Sequence, residues 1–218
     1  MLKIKDINFK GLKVLIRVDF NVPLDHSFNV TDDTRIRAAK PTIMRVLQDG
    51  GSCILMSHLG RPSGIEDKFS LKHIVLTLEG LIGKPVIFSS SCIGEEACNN
   101  AKFLQPGQVL LLENLRFHQE ETIGGVEFAK ELSTLADFYI NDAFGTAHRA
   151  HASTTVIAKF FPKTKCFGLL LAKEIESIDK IMLSGKKPVL AILGGAKVSS
   201  KITTVSYTHL RAHETFTD

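Results

Sequence analysis

The chain has 218 residues, 44% hydrophobic and 23% charged, with a formal net charge of +4. That balance suits a folded globular protein with ample apolar material for a core, and so mild a charge does not argue for a nucleic-acid partner. No apolar run approaches the roughly 18 residues of a membrane span. The start, Met1 to Asp6, lacks the apolar region of a secretion signal, so a cytoplasmic location is expected. The 4 cysteines form no C-x-x-C pair and no metal-ligand spacing. Cys53 and Cys166 sit in apolar runs and read as reduced core residues.

The first strong signal along the chain is the apolar run from Val14, which reads as a buried strand because branched and leucine residues follow without polar alternation. It breaks into Asp19 and Asn21 before Pro23. Proline cannot continue a central strand, so both polar residues stand at the strand's carboxyl end. A turn-rich connection leads to a helix capped by Asp33 or Thr34, with Ile36, Ala39, Ile43 and Leu47 at helical spacing. Cys53 to Met56 is a second buried strand, ending in Ser57-His-Leu-Gly-Arg-Pro62. Ser70 caps a helix carrying Leu71, Ile74, Val75, Leu78, Leu81 and Ile82 on one face.

Pro85 to Phe88 is a short third strand, and Gly94 to Phe103 reads as helix. Val109 to Leu112 is a fourth strand running into Glu113-Asn-Leu-Arg-Phe117. Val126 to Leu135 is helical, and Phe138 to Ile140 is a fifth strand ending at Asn141-Asp142. Helix alternates with strand throughout, which predicts βαβ units: an α/β fold with a mostly parallel sheet and helices on both faces. From Leu169 to Ser184, Leu171, Ile175, Ile178 and Met182 mark a long amphipathic helix. A strand over Val189 to Leu193 then meets Gly194-Gly195-Ala196-Lys197. The glycine pair resembles a phosphate-binding turn, with a plain tight turn as the equal alternative, since no Walker A pattern occurs.

Just beyond the predicted strands lie Asp19 and Asn21, His58 and Arg61, Arg116, and Arg149, with Arg35 on the same rim at the start of the first helix. If the strands are parallel, these ends face one way and the cations converge. Like charges repel and a fold does not need such a cluster, so a small, multiply anionic ligand is the expected reason for it. His148 and His151 read as ordinary polar loop residues. No catalytic triad, nucleophile elbow or H-E-x-x-H motif is present. Positioning and charge stabilisation, the pattern of phosphoryl transfer, is the chemistry that remains.

Arg17-Val-Asp-Phe-Asn-Val-Pro23, Ser57 to Pro62, Leu112 to Phe117, Asn141 to Thr154 and Leu193-Gly-Gly-Ala-Lys-Val198, in that order, resemble phosphoglycerate kinase. The resemblance implies a Rossmann-like domain for 3-phosphoglycerate or 1,3-bisphosphoglycerate and a second α/β domain for Mg2+ with ADP or ATP. It implies that Asp19 and Asn21 hold the glycerate, and that His58, Arg61, Arg116 and Arg149 form a basic patch for its phosphate. Arg35 and Lys197 would stabilise the phosphoryl in flight, with Gly194, Gly195 and Lys201 at the nucleotide. It further implies a monomer serving glycolysis, with neither nucleic acid nor membrane as partner.

By the same resemblance, residues 1–168 form the substrate domain, 169–185 the linking helix and 186–202 the start of the nucleotide domain. Residues 203–218 resemble nothing in the family and read as an unrelated tail on a truncated copy. Such a chain is expected to bind phosphoglycerate without turnover, and a non-catalytic module for triose-acid phosphates is the alternative.

Overall fold

The computed structural model describes residues 2–147 and 149–184. The chain divides into two compact units, Met1–Glu176 and Ser177–Asp218. The first is built on a seven-stranded sheet. Its strands are β1 (Leu2–Lys3), β2 (Lys13–Arg17), β3 (Ser52–Met56), β4 (Val86–Ser89), β5 (Val109–Leu112), β6 (Phe138–Asn141) and β7 (Lys165–Phe167). They lie in the order β1-β7-β6-β2-β3-β5-β4, and every pairing is parallel. The helices are α1 (Thr34–Gln48), α2 (Val75–Ile82), α3 (Gly94–Phe103), α4 (Gln119–Ile123), α5 (Val126–Ser133) and α6 (Leu169–Ser184). Of the second unit, only the end of α6 lies among the described residues.

The central strands are buried on both faces, which is why they read as continuous apolar runs. Val14, Ile16, Cys53, Leu55, Val109, Leu111 and Ile140 join α1 and α2 in one core layer. Leu15, Ile54, Met56, Leu110, Leu112 and Tyr139 join α3 and α5 in the other. The predicted α/β architecture and parallel sheet are present. The two-residue β1, the short β7 and the single turn and a half of α4 carry no periodic signal and were not expected.

Two local expectations change. Ser70 does cap, accepting from the Lys72 N–H, but the capped residues Leu71–Ile74 form a 3-10 turn before α2 begins. At α1 the Thr34 N–H donates to Asp32, while the Asp33 carboxylate is taken by both forks of Arg37 at 2.7 Å. Among the described residues no helix is long and apolar enough to cross a membrane. Cys53 and Cys166 are buried free thiols, as expected.

The start of α6 is fastened to the end of β6. Asp142 Oδ1 accepts from the N–H groups of Leu170 and Leu171 at 2.9 and 3.1 Å, and Thr42 of α1 accepts from Leu169 at 2.9 Å. These bonds satisfy helix-end donors that would otherwise be orphaned. Gly168 is required for the fit, because a Cβ there would stand 2.1 Å from Asp142 Oδ1.

Burial pushes the Asp142 carboxyl up to about 6, against the pull of the Thr42 hydroxyl and the Leu171 and Leu170 N–H groups. A carboxyl raised in the folded state binds more protons there than when unfolded, so its contribution is full at low pH and fades as pH rises towards 6. Asp142→Asn keeps an acceptor for the helix and removes the titration. Relative to the variant, the wild-type chain is expected to lose about 3 kcal/mol of stability between about pH 4 and 6.5. Urea unfolding of both proteins across that range measures it.

Candidate functional site

Parallel pairing with Arg17 opposite both Met56 and Asn141 brings the carboxyl ends of β2, β3 and β6 side by side. β5, next to β3, adds Glu113 to Arg116. Strand ends of open α/β sheets are where ligands bind, because loops rather than core fill the space beyond them.

Behind this edge lies an arginine that the apolar reading of β2 passed over. Arg17 falls on the same face as Leu15 and is only 1% exposed. Its Nε donates to Ser153 Oγ at 2.9 Å, Nη1 to the Val18 carbonyl, and Nη2 lies 3.1 Å from His58 Nδ1. Ser153, on a wide π-helical turn over Ala152–Val156, passes the charge on: its hydroxyl donates to Glu121 Oε1 at 2.6 Å and its N–H to Oε2 at 3.0 Å. The Tyr139 hydroxyl holds the Ser153 carbonyl at 2.8 Å. Burial pushes the Glu121 carboxyl up, while Arg17 and the Ser153 donors pull it back. His151 is not the ordinary loop residue expected; it is buried with Nδ1 3.8 Å from Glu121 Oε1. The only sequence signal for this network is one charged residue in an apolar strand.

In front, the loop after β3 is pinned by its own peptide groups. Gly60 N–H donates to Asn21 Oδ1 at 2.8 Å, and its carbonyl accepts from Arg116 Nη1 at 2.7 Å. The residue has φ +64°, and a Cβ would meet the Phe69 ring at 2.4 Å, so glycine is needed on both counts. Asn114 donates to the carbonyls of Leu59 and Phe69, and Glu113 accepts from Ser70 Oγ at 2.6 Å and the Leu71 N–H at 2.8 Å. A cavity of about 280 Å³ opens beside Asn21 and Gly60, walled largely by Val22, Leu24, Phe28 and Phe69. Asp25 and Lys68 add one carboxylate and one ammonium to its lining.

The charged residues expected at the site are held in different ways. Asp19 Oδ2 and Arg35 Nη1 form an ion pair at 2.6 Å, with Gly145 so close that a Cβ there would lie 3.2 Å from the same oxygen. Arg116 is pushed below the ordinary arginine range by burial, then by the charges of Arg17 and Arg149, with Arg61 acting in the same direction. Three other guanidinium groups thus lie within electrostatic reach of Arg116. His58 departs from the expected cationic patch. Burial first, then Arg17, Arg116 and Arg35, lower it to about 2, so the ring is neutral. Lys197, Lys201, Gly194 and Gly195 lie outside the described residues, as does His148. Among the described residues no group of three or more His, Cys, Asp or Glu could hold a metal ion, so no Mg2+ donor set is assigned here.

A family profile described as phosphoglycerate kinase matches residues 4–213, running past Ile202 where the sequence motifs stop. Phosphoglycerate kinase of Porphyromonas gingivalis is 46% identical, over 93% of this chain and 54% of its own length. That of Chlorobium luteolum is 52% identical, over 93% and 51%. The crystal structure of phosphoglycerate kinase from Pyrococcus horikoshii OT3 superposes with a TM-score of 0.86 at 32% identity, covering 97% of this chain and 53% of that one. The Coxiella burnetii enzyme structure gives 0.79 at 36% identity. The chain therefore spans about half the length of the relatives it matches.

Glu121→Ala is expected to leave the Arg17 charge buried without its counter-charge and to destabilise the chain by about 3–5 kcal/mol, with Glu121→Gln costing less. Denaturant unfolding of both variants tests the order.

Proposed function

The chain belongs to the phosphoglycerate kinase family, and we propose that it carries the phosphoglycerate-binding half of an enzyme that moves a phosphoryl group between 1,3-bisphosphoglycerate and ADP. The observation that supports this most is that Arg17, Arg149 and Arg61 each repel the charge of Arg116, which follows β5 beside the carboxyl ends of β2 and β3. Guanidinium forks match phosphate oxygens, and mutually repelling cations are relieved by an anion of several charges. Arg61, Arg116 and Arg149 would take the phosphate remote from the reaction. Asn21, already bound to the Gly60 N–H, would orient the glycerate.

Arg35 has another part. Paired with Asp19 at 2.6 Å on the first turn of α1, it would meet charge on the phosphoryl in flight. Little covalent work is needed in such a transfer, and fixed donors placed where charge develops supply much of the rate. Lys197 would act likewise from the nucleotide side, with Gly194, Gly195 and Lys201 at the nucleotide and Mg2+ accompanying it. In this proposal residues 1–168 are the substrate domain, 169–185 a linking helix and 186–202 the start of a nucleotide domain. The exposed Ile178, Ile181, Met182 and Leu183 of α6 suit a helix that continues into a further body. A cytosolic monomer acting on small molecules is part of the same proposal.

Because in-line transfer needs both substrates held together, the 218-residue chain is expected to bind 3-phosphoglycerate and show no ATP formation. Calorimetry should give an affinity above that for inorganic phosphate, declining with added salt. Arg61→Ala, Arg116→Ala and Arg149→Ala are each expected to weaken it by roughly 10- to 100-fold. Arg35→Ala should weaken it least, since 3-phosphoglycerate lacks the group that Arg35 serves. No heat from a folded sample, or equal losses for all four variants, would refute the assignment.

A further inference from the structure

The contact between Arg17 and His58 fixes more than a ring position. A guanidinium carries donors only and keeps its proton at any ordinary pH. The imidazole nitrogen 3.1 Å from Arg17 Nη2 must therefore offer its lone pair, and that nitrogen is Nδ1. A neutral ring with an acceptor at Nδ1 carries its proton at Nε2, which has no protein partner among the described residues. Arg17 cannot swing away to release the ring. Its Nε is held by Ser153 and its Nη1 by the Val18 carbonyl, while Ser153 is itself clamped by Glu121 and Tyr139.

The alternative, an imidazolium, would set an N–H against an N–H across that contact. The charged groups around the ring leave it no support: Arg17, Arg116, Arg35 and His151 all disfavour a second positive charge, and burial does so most. The arginines of the site then supply the charge, and the histidine supplies direction.

We propose that Arg17 is a positioning residue that locks His58 in the Nε2–H tautomer, so that this buried ring meets the phosphoglycerate as a neutral hydrogen-bond donor rather than as a further cation. The ligand half rests on the proposed function; the tautomer is a property of the protein without ligand. Recognition through such a donor does not titrate across the range where free histidine would change charge.

The test uses the whole chain labelled with nitrogen-15 histidine. Long-range proton–nitrogen correlation spectra are expected to show an acceptor-type Nδ1 and a protonated Nε2 for His58, unchanged between about pH 5 and 8. A protonated Nδ1, or a titration in that window, overturns the proposal. Folded Arg17→Met should lose the single tautomer, while Arg17→Lys, which keeps a donor, should retain it. An unchanged His58 signature in Arg17→Met overturns the positioning role. Should that variant fail to fold, Ser153→Ala frees Arg17 Nε, together with Glu121 Oε1, and is expected to mix the tautomers; a pure Nε2–H signature there overturns the lock.

For the ligand half, the His58→Gln amide can place an N–H close to the Nε2 position and His58→Leu cannot. Calorimetry with 3-phosphoglycerate is expected to find the leucine variant about 10-fold weaker than the glutamine variant. Equal affinities overturn the donor role. An intact tautomer in a chain that gives no heat with 3-phosphoglycerate overturns the donor role together with the substrate assignment, and the spectrum tells that failure apart from a failure of the lock.

Discussion

A guanidinium buried to 1% exposure dominates the middle of this structure. Taking such a charge out of water costs several kcal/mol, and the fold tolerates it only because each edge of the group has a partner. Three separate segments supply them: Ser153 from the turn after β6, Val18 from its own strand end, and His58 from the end of β3. Glu121 of α4 balances the charge one hydroxyl away. The wide turn at Ala152–Val156 and the short α4 bring Ser153 and Glu121 to Arg17.

That demand also organises the front of the site. With Arg17 fixed, the histidine above it is fixed, and the loop after β3 begins from a defined point. The rest of the loop is held by its backbone: Asn21 and Arg116 grip the two ends of the Gly60 peptide, while Glu113 and Asn114 tie down the segment from Leu59 to Leu71. Residues proposed to hold the ligand therefore also carry the loops. Asn21 and Arg116 are preorganised by their structural bonds, which limits the entropy lost on binding.

On the other side of Arg17, the strand β6 leads directly into the helix anchor. Asn141 pairs with Arg17 in the sheet, and Asp142, the next residue, caps α6 through two backbone N–H groups. Gly168 accepts this only because it lacks a Cβ. The strand end that borders the site and the start of the long helix are thus joined by hydrogen bonds to the carboxylate of Asp142, the residue next after the strand, whose burial raises its pKa.

The sequence alone determined the layered α/β fold, because strands buried on both faces must be apolar throughout and the helices between them must keep a 3.6-residue period. The rim of polar and basic residues was legible as well, since parallel strands put all their carboxyl ends on one side. Leu169–Ser184 kept its predicted span for the same periodic reason. Tertiary structure alone decided what periodicity does not encode. β1 and β7 are too short to signal themselves and exist through their pairing, β1 at the sheet edge and β7 between β1 and β6. The protonation of His58 depends on an arginine 41 residues away in sequence and on burial that only the folded loops create. Arg17 looked like a strand residue because its strand is apolar; its charge acquires meaning only when Ser153, 136 residues further on, arrives beside it.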